Sequence, residues 1–96
     1  MTTVHTPGPW HTKRDGFSAV YVEARIGGGW VQEVAACGPT EKGSEQQEAN
    51  ARLIAAAPEL LEALQDCLGQ IAAGPDGQRV YFAAKKVIAK ATGSQP

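Results

Sequence analysis

The chain is 96 residues long, 43% hydrophobic and 20% charged, which is the size and balance of one small globular domain rather than a disordered segment. Its formal net charge of -1 excludes a uniformly basic nucleic-acid binder, and no apolar run approaches the roughly 20 residues of a membrane span. The opening MTTVHTPGPW has no basic segment leading into an apolar one, so no secretory signal is expected, and the expected compartment is the cytoplasm.

In chain order, Thr6-Pro7-Gly8-Pro9 is turn chemistry, because two prolines in three positions suit neither a helix nor a central strand. A short strand is expected from Trp10 to Lys13, then a turn at Arg14-Asp15-Gly16. From Ser18 to Ile26 the residues alternate. Val20, Val22, Ala24 and Ile26 face one way and Tyr21, Glu23 and Arg25 the other, the period of a half-buried strand. Gly27-Gly28-Gly29 reads as a hairpin turn, and Trp30 to Ala36 as the return strand, ended by Gly38-Pro39. The glycines lead from strand to strand, not into a helix, so a phosphate-binding loop is rejected.

The period changes near residue 44. Ser44 with Gln47 three residues on has the form of a capping box, predicting a helix to about Ala57. Pro58 suits the first turn of a second helix running to about Ala72, with Leu60, Leu64, Cys67, Leu68 and Ile71 as its apolar stripe and Leu61 on the shoulder. Gly74-Pro75-Asp76-Gly77 is a turn. A third helix is predicted from Gln78 to Ala91, with Val80, Ala84, Val87, Ile88 and Ala91 inward, before a frayed tail over 92–96. The expected fold class is α+β: a three-stranded antiparallel sheet followed by three helices packed on one face. It forms a single domain over 1–96, with the sheet in 6–38 and the helices in 44–91.

Charge divides the chain. Residues 41–77 hold seven acids against two bases, a net of -5, and residues 78–96 hold Arg79, Lys85, Lys86 and Lys90 with no acid, a net of +4. These segments either neutralise one another or offer their charge outward. Cys37 and Cys67 are too few for a disulfide scaffold and have no metal-ligand spacing to each other or to His5 and His11. Neither a metal nor a cofactor is expected, and both thiols read as small apolar side chains. No nucleophile–histidine pattern has a recognisable local context, and His11 near Asp15 has nothing to orient it, so the chain is not expected to be an enzyme.

Helical spacing singles out a few residues. Asn50 falls in the apolar stripe of the first helix, between Leu53, Ile54 and Ala57, as a structural pin or a ligand-facing amide. Arg52 lies four residues after Glu48, as half of an ion pair or facing a ligand. Arg79, Lys86 and Lys90 share one side of the third helix, with Phe82 beside them.

The segments Thr6-Pro-Gly-Pro-Trp10 and Glu48-Ala-Asn-Ala-Arg-Leu-Ile-Ala-Ala-Ala-Pro-Glu-Leu-Leu-Glu-Ala-Leu64 resemble a widespread group of small phage and prophage accessory proteins. The resemblance covers roughly residues 6–68 and leaves the third helix outside. It implies a phage accessory product acting in the bacterial cytoplasm, where such products often inhibit host defence. The layout of a small sheet followed by helices is also similar to viral sponge proteins that sequester immune nucleotide messengers, as in Thoeris anti-defence. Two functions follow as expectations. One is a homo-oligomeric sponge, most simply a dimer, that binds a phosphate-bearing nucleotide without turning it over. Arg52, Arg25 and Arg79 would meet the phosphate and Trp10, Trp30 or Phe82 would stack on the base. The other is an inhibitor or adaptor that blocks a host defence complex such as a CRISPR effector.

Overall fold

The computed structural model describes residues 4–16, 18–70 and 77–93. It is an α+β arrangement in the order β1 (Trp10–Asp15), β2 (Ala19–Ile26), β3 (Trp30–Cys37), α1 (Ser44–Ala55), α2 (Ala57–Leu68) and α3 (Gly77–Thr92). The chain divides into two compact units, Thr6–Glu59 and a second that takes in Leu60–Pro96 with Met1–His5.

In the first unit the strands form an antiparallel meander of order β1-β2-β3. β1 extends two residues beyond the expected Lys13, and the turn into β2 begins at Gly16. Arg14 and Asp15 stay in the ladder opposite Val20 and Ala19, so cross-strand pairing overrides local turn propensity there. The alternation of β2 holds: Val20, Val22 and Ala24 are buried, and Tyr21, Glu23 and Arg25 lie on the other face. Ile26 keeps the same parity but is exposed, because it stands at the hairpin end. Gly28 and Gly29 make the turn with positive φ. A bulge at Val22/Glu23 leaves Val34 as the extra residue of β3, and β3 ends one residue later than expected, at the buried Cys37.

α1 covers the Val20–Val22–Ala24 face. It buries Gln47 and Ala51 and half-buries Ile54 and Ala55, the positions that share a helix face. The small Ala51 lets the helix backbone approach the sheet. Val20, Val22, Cys37 and Ala51 form the core, with Trp10, Val34, Ala35, Ile54 and Ala55 packed on it. Burying Val22 completely contributes about 1.5–3 kcal/mol.

The start of α1 differs from the capping-box expectation. Gly43 is the N-cap, at φ 85°, and no side chain caps the helix. That left-handed backbone favours glycine. Ser44 is inside the helix, and Gln47 turns inward to the sheet instead of back to the cap. The helix ends at Ala55, with the Ala56 N–H donating to the Arg52 carbonyl at 3.0 Å. Pro58 then sits in the first turn of α2, as expected.

In the second unit the half-buried ridge of α2 is Leu61, Leu64 and Leu68. Leu60 and Cys67, expected inward, are exposed; the ridge is rotated toward Leu61. α2 ends at Leu68, Gly69 and Gln70 form a turn, and Ile71 and Ala72 lie outside the described residues. Gly74, Pro75 and Asp76 of the expected turn also lie outside them, whereas Gly77 opens α3. On α3 Ala84 is buried and Ile88 half-buried, while Val80 and Val87 are exposed. Of the tail, Thr92 is still helical, with its hydroxyl donating to the Ile88 carbonyl, and 94–96 lie outside the described residues.

Candidate functional site

The buried polar group of the first unit is Gln47, 2% exposed. Its Nε2 donates to the Cys37 carbonyl at 2.8 Å and to the Ser18 carbonyl at 3.3 Å. Its Oε1 accepts from Arg14 Nη2 at 3.1 Å. Arg14 Nε donates to Glu48 Oε1 at 2.9 Å, and Nη1 to the Gly16 carbonyl at 3.2 Å. One amide thus joins the end of β3, the turn before β2, the end of β1 and the first turns of α1. Both polar atoms of Gln47 are matched, and among the described residues no buried side-chain polar atom lacks a partner, so the network ties α1 to the sheet.

Two expectations are corrected by this network. The buried amide of α1 is Gln47; Asn50 is exposed. Glu48 pairs with Arg14 rather than with Arg52, and among the described residues Arg52 has no ion-pair partner. The sequence signal for Arg14 was its parity, because Trp10, Thr12 and Arg14 alternate toward the face that α1 covers.

The segments Thr6–Trp10 and Glu48–Leu64 also meet in a close contact. A Cβ on Gly8 would stand 3.0 Å from Pro58 Cβ and 3.3 Å from its Cγ, so the Pro7-Gly8-Pro9 turn and the start of α2 meet closely enough that a side chain at position 8 would press on the Pro58 ring. Trp10 is half-buried beside the core, its Nε1 donating to the Thr6 carbonyl at 3.1 Å. Its indole is a packing element of this turn.

The remaining candidates are dispersed. Arg25 is exposed on the sheet face away from α1, in register with Val31. Trp30 is in register with Ile26 on the opposite face, because parity alternates along both strands. Arg25 and Trp30 therefore do not share a surface. On Arg25's face His11 Nε2 lies 3.3 Å from Glu23 Oε1, so the pairing of His11 is with Glu23 and not with Asp15. Trp30 is 73% exposed at the glycine turn. Its Cδ1 lies 3.4 Å from where a Cβ on Gly28 would stand, so the ring leans on the turn. Arg79 and Phe82 are exposed on α3 in the second unit. Phe82 meets Tyr81 edge-on, with ring centroids 5.7 Å apart, and Lys85 Nζ stands 5.6 Å over the Tyr81 ring.

Among the described residues no group of three or more His, Cys, Asp or Glu side chains could hold a metal ion. No helix among them is long and apolar enough to cross a membrane. None of the curated proteins matches the chain, and no solved structure does. The model of one family, described as Salmonella phage P22 protein Y8K6, matches residues 1–95. With nearly its whole length matched, the chain belongs to this phage protein family.

Proposed function

We propose that the protein is a phage accessory factor that acts in the host cell by binding and not by turnover, and that its target is a protein of a host defence system. The observation that supports this reading is the hairpin end. Trp30 and Ile26, in register on one face of the sheet, are exposed beside the glycine turn. Tryptophan is the residue most enriched at the energetic centres of protein interfaces. A ring leaning on its own turn loses little freedom on binding.

Capture of a phosphate-bearing nucleotide is the second reading. It is favoured by Arg25, Arg52 and Arg79, which have no ion-pair partner among the described residues. It is weakened by the register, which separates Arg25 from Trp30.

Native mass spectrometry of the tagged protein, isolated from host cells with an active defence system, separates the two. The expected result is a co-purifying polypeptide that is lost with Trp30→Ala while the melting temperature stays the same. A co-purifying nucleotide retained by Trp30→Ala and lost with Arg25→Ala or Arg52→Ala would overturn the reading in favour of a sponge.

A further inference from the structure

α2, whose residues from Leu60 onward belong to the second unit, and α3 carry outward faces of similar layout and opposite charge. At 100° per residue, Glu59, Glu62 and Asp66 of α2 fall within about 60° of one another, opposite the half-buried Leu61–Leu64–Leu68 ridge. Beside them lies an exposed apolar shoulder of Leu60, Ala63 and Cys67. On α3, Arg79, Lys86 and Lys90 fall within about 40°, opposite Ala84 and Ile88. Beside them lies an exposed shoulder of Val80, Ala83 and Val87. In both helices the shoulder stands on the same side of the charged stripe. Leu60 and Cys67 are seven residues apart, as are Val80 and Val87; Glu59 and Asp66 are also seven apart, as are Arg79 and Lys86. This is the spacing of a helix–helix seam with flanking charges.

Among the described residues nothing covers these faces. Leu60 is 53%, Val80 48% and Val87 55% exposed. Among the described residues the ion pairs are His11–Glu23 and Arg14–Glu48, so none of the six stripe charges is paired. Each face fits the other, and each chain carries one of each.

We propose that a second copy of this chain covers them, with α2 of each protomer lying antiparallel on α3 of its partner about a two-fold axis. Two-fold symmetry makes the contact twice, since whatever α2 does to the partner's α3, the partner's α2 does in return. Antiparallel, Glu59 comes level with the partner's Lys86, and Asp66 with the partner's Arg79. Leu60 then meets the partner's Val87, and Cys67 meets the partner's Val80. The alanines at the centre of each seam, Ala63 and Ala83, let the helices approach closely. This dimer surface is separate from the Trp30 hairpin, so the failure of one proposal leaves the other standing.

The test is a charge exchange. Light scattering and native mass spectrometry of the wild-type protein in low salt are expected to give twice the 10.1 kDa chain mass, with dissociation as salt rises. Glu59→Lys/Asp66→Lys makes both helices basic, and Arg79→Glu/Lys86→Glu makes both acidic. Each variant alone is expected to be monomeric, its dissociation constant raised roughly a hundredfold or more by like-charge contact. An equimolar mixture is expected to form a heterodimer, because attraction is restored at both seams. A wild-type protein that stays monomeric at every concentration would overturn the proposal. So would a variant that dimerises alone, or a mixture that fails to pair.

A second test leaves the charges intact. Under mild oxidation Val80→Cys is expected to trap a covalent dimer through Cys67, and Val87→Cys is not. Equal trapping by the two, or the reverse order, would overturn the antiparallel docking.

Discussion

The sheet with α1 and the pair α2 and α3 spend similar numbers of apolar side chains differently. In the first unit Val20, Val22, Ala24, Cys37 and Ala51 leave water almost completely, and the one amide among them is satisfied on every side. In the second, Ala84 alone among the described residues is buried, and leucine and valine side chains stand exposed beside unpaired charges. A face that buries its apolar groups and matches its polar ones is finished. A face that does neither is where a partner gains most. The difference lies in where the buried and matched groups of this protein are, which is its first unit; the association proposed above draws on the exposed groups of the second unit and of the Trp30 hairpin.

The contrast breaks first at Gln47. Gln47→Ala removes the donor to the Cys37 and Ser18 carbonyls and the acceptor of Arg14. A loss of about 3 kcal/mol is expected in urea unfolding, the cost of leaving buried carbonyls unmatched. A loss below about 1 kcal/mol, no more than one ordinary hydrogen bond, would mean that the network is not what ties α1 to the sheet.

A matched pair of truncations sharpens the same point. Val22→Ala, at a fully buried site, is expected to cost about 2 kcal/mol, because it opens a cavity between β2 and α1. Val80→Ala, at an exposed site on α3, is expected to stay within about 0.5 kcal/mol when measured on the monomer in high salt. Equal effects in chemical denaturation would erase the distinction between the two units.

The smallest expected effect separates two arginines. Glu48→Ala breaks a half-exposed pair with Arg14 and is expected to cost about 0.5 kcal/mol. Arg52→Ala breaks no pair among the described residues and is expected to change stability by less. Glu48→Ala and Arg52→Ala measured singly and together should therefore add, whereas coupling between them would restore the four-residue helix pair read from the sequence.

Much of the fold was legible because its signals are local. The parity of Val20, Val22 and Ala24, the three glycines between two strands, and Pro58 at a helix start each act within a few residues. In the first unit the misread positions follow from contacts with residues far away in the chain. Ser44 and Gln47 have the form of a capping box, yet Gln47 is drawn to carbonyls 10 and 29 residues away. Glu48 and Arg52 have the spacing of a helix pair, yet Glu48 finds Arg14, 34 residues away. Asn50 lay in an apolar stripe drawn through Leu53, and the helix turned another face, that of Gln47 and Ala51, to the sheet. The candidate site was least legible, since arginines and aromatics chosen singly from the sequence came to lie on different faces and in different units.

The sequence by itself determined the three strands, the three helices, their order and the sign of the charge on α2 and α3. Periodicity and turn chemistry are properties of neighbouring residues and survive in any arrangement of the elements. Only the tertiary structure decided which face of each element is covered, because coverage depends on residues far apart in the chain. That choice joined the partly exposed Arg14 and Glu48 to the buried Gln47 and left the α2 and α3 stripes exposed.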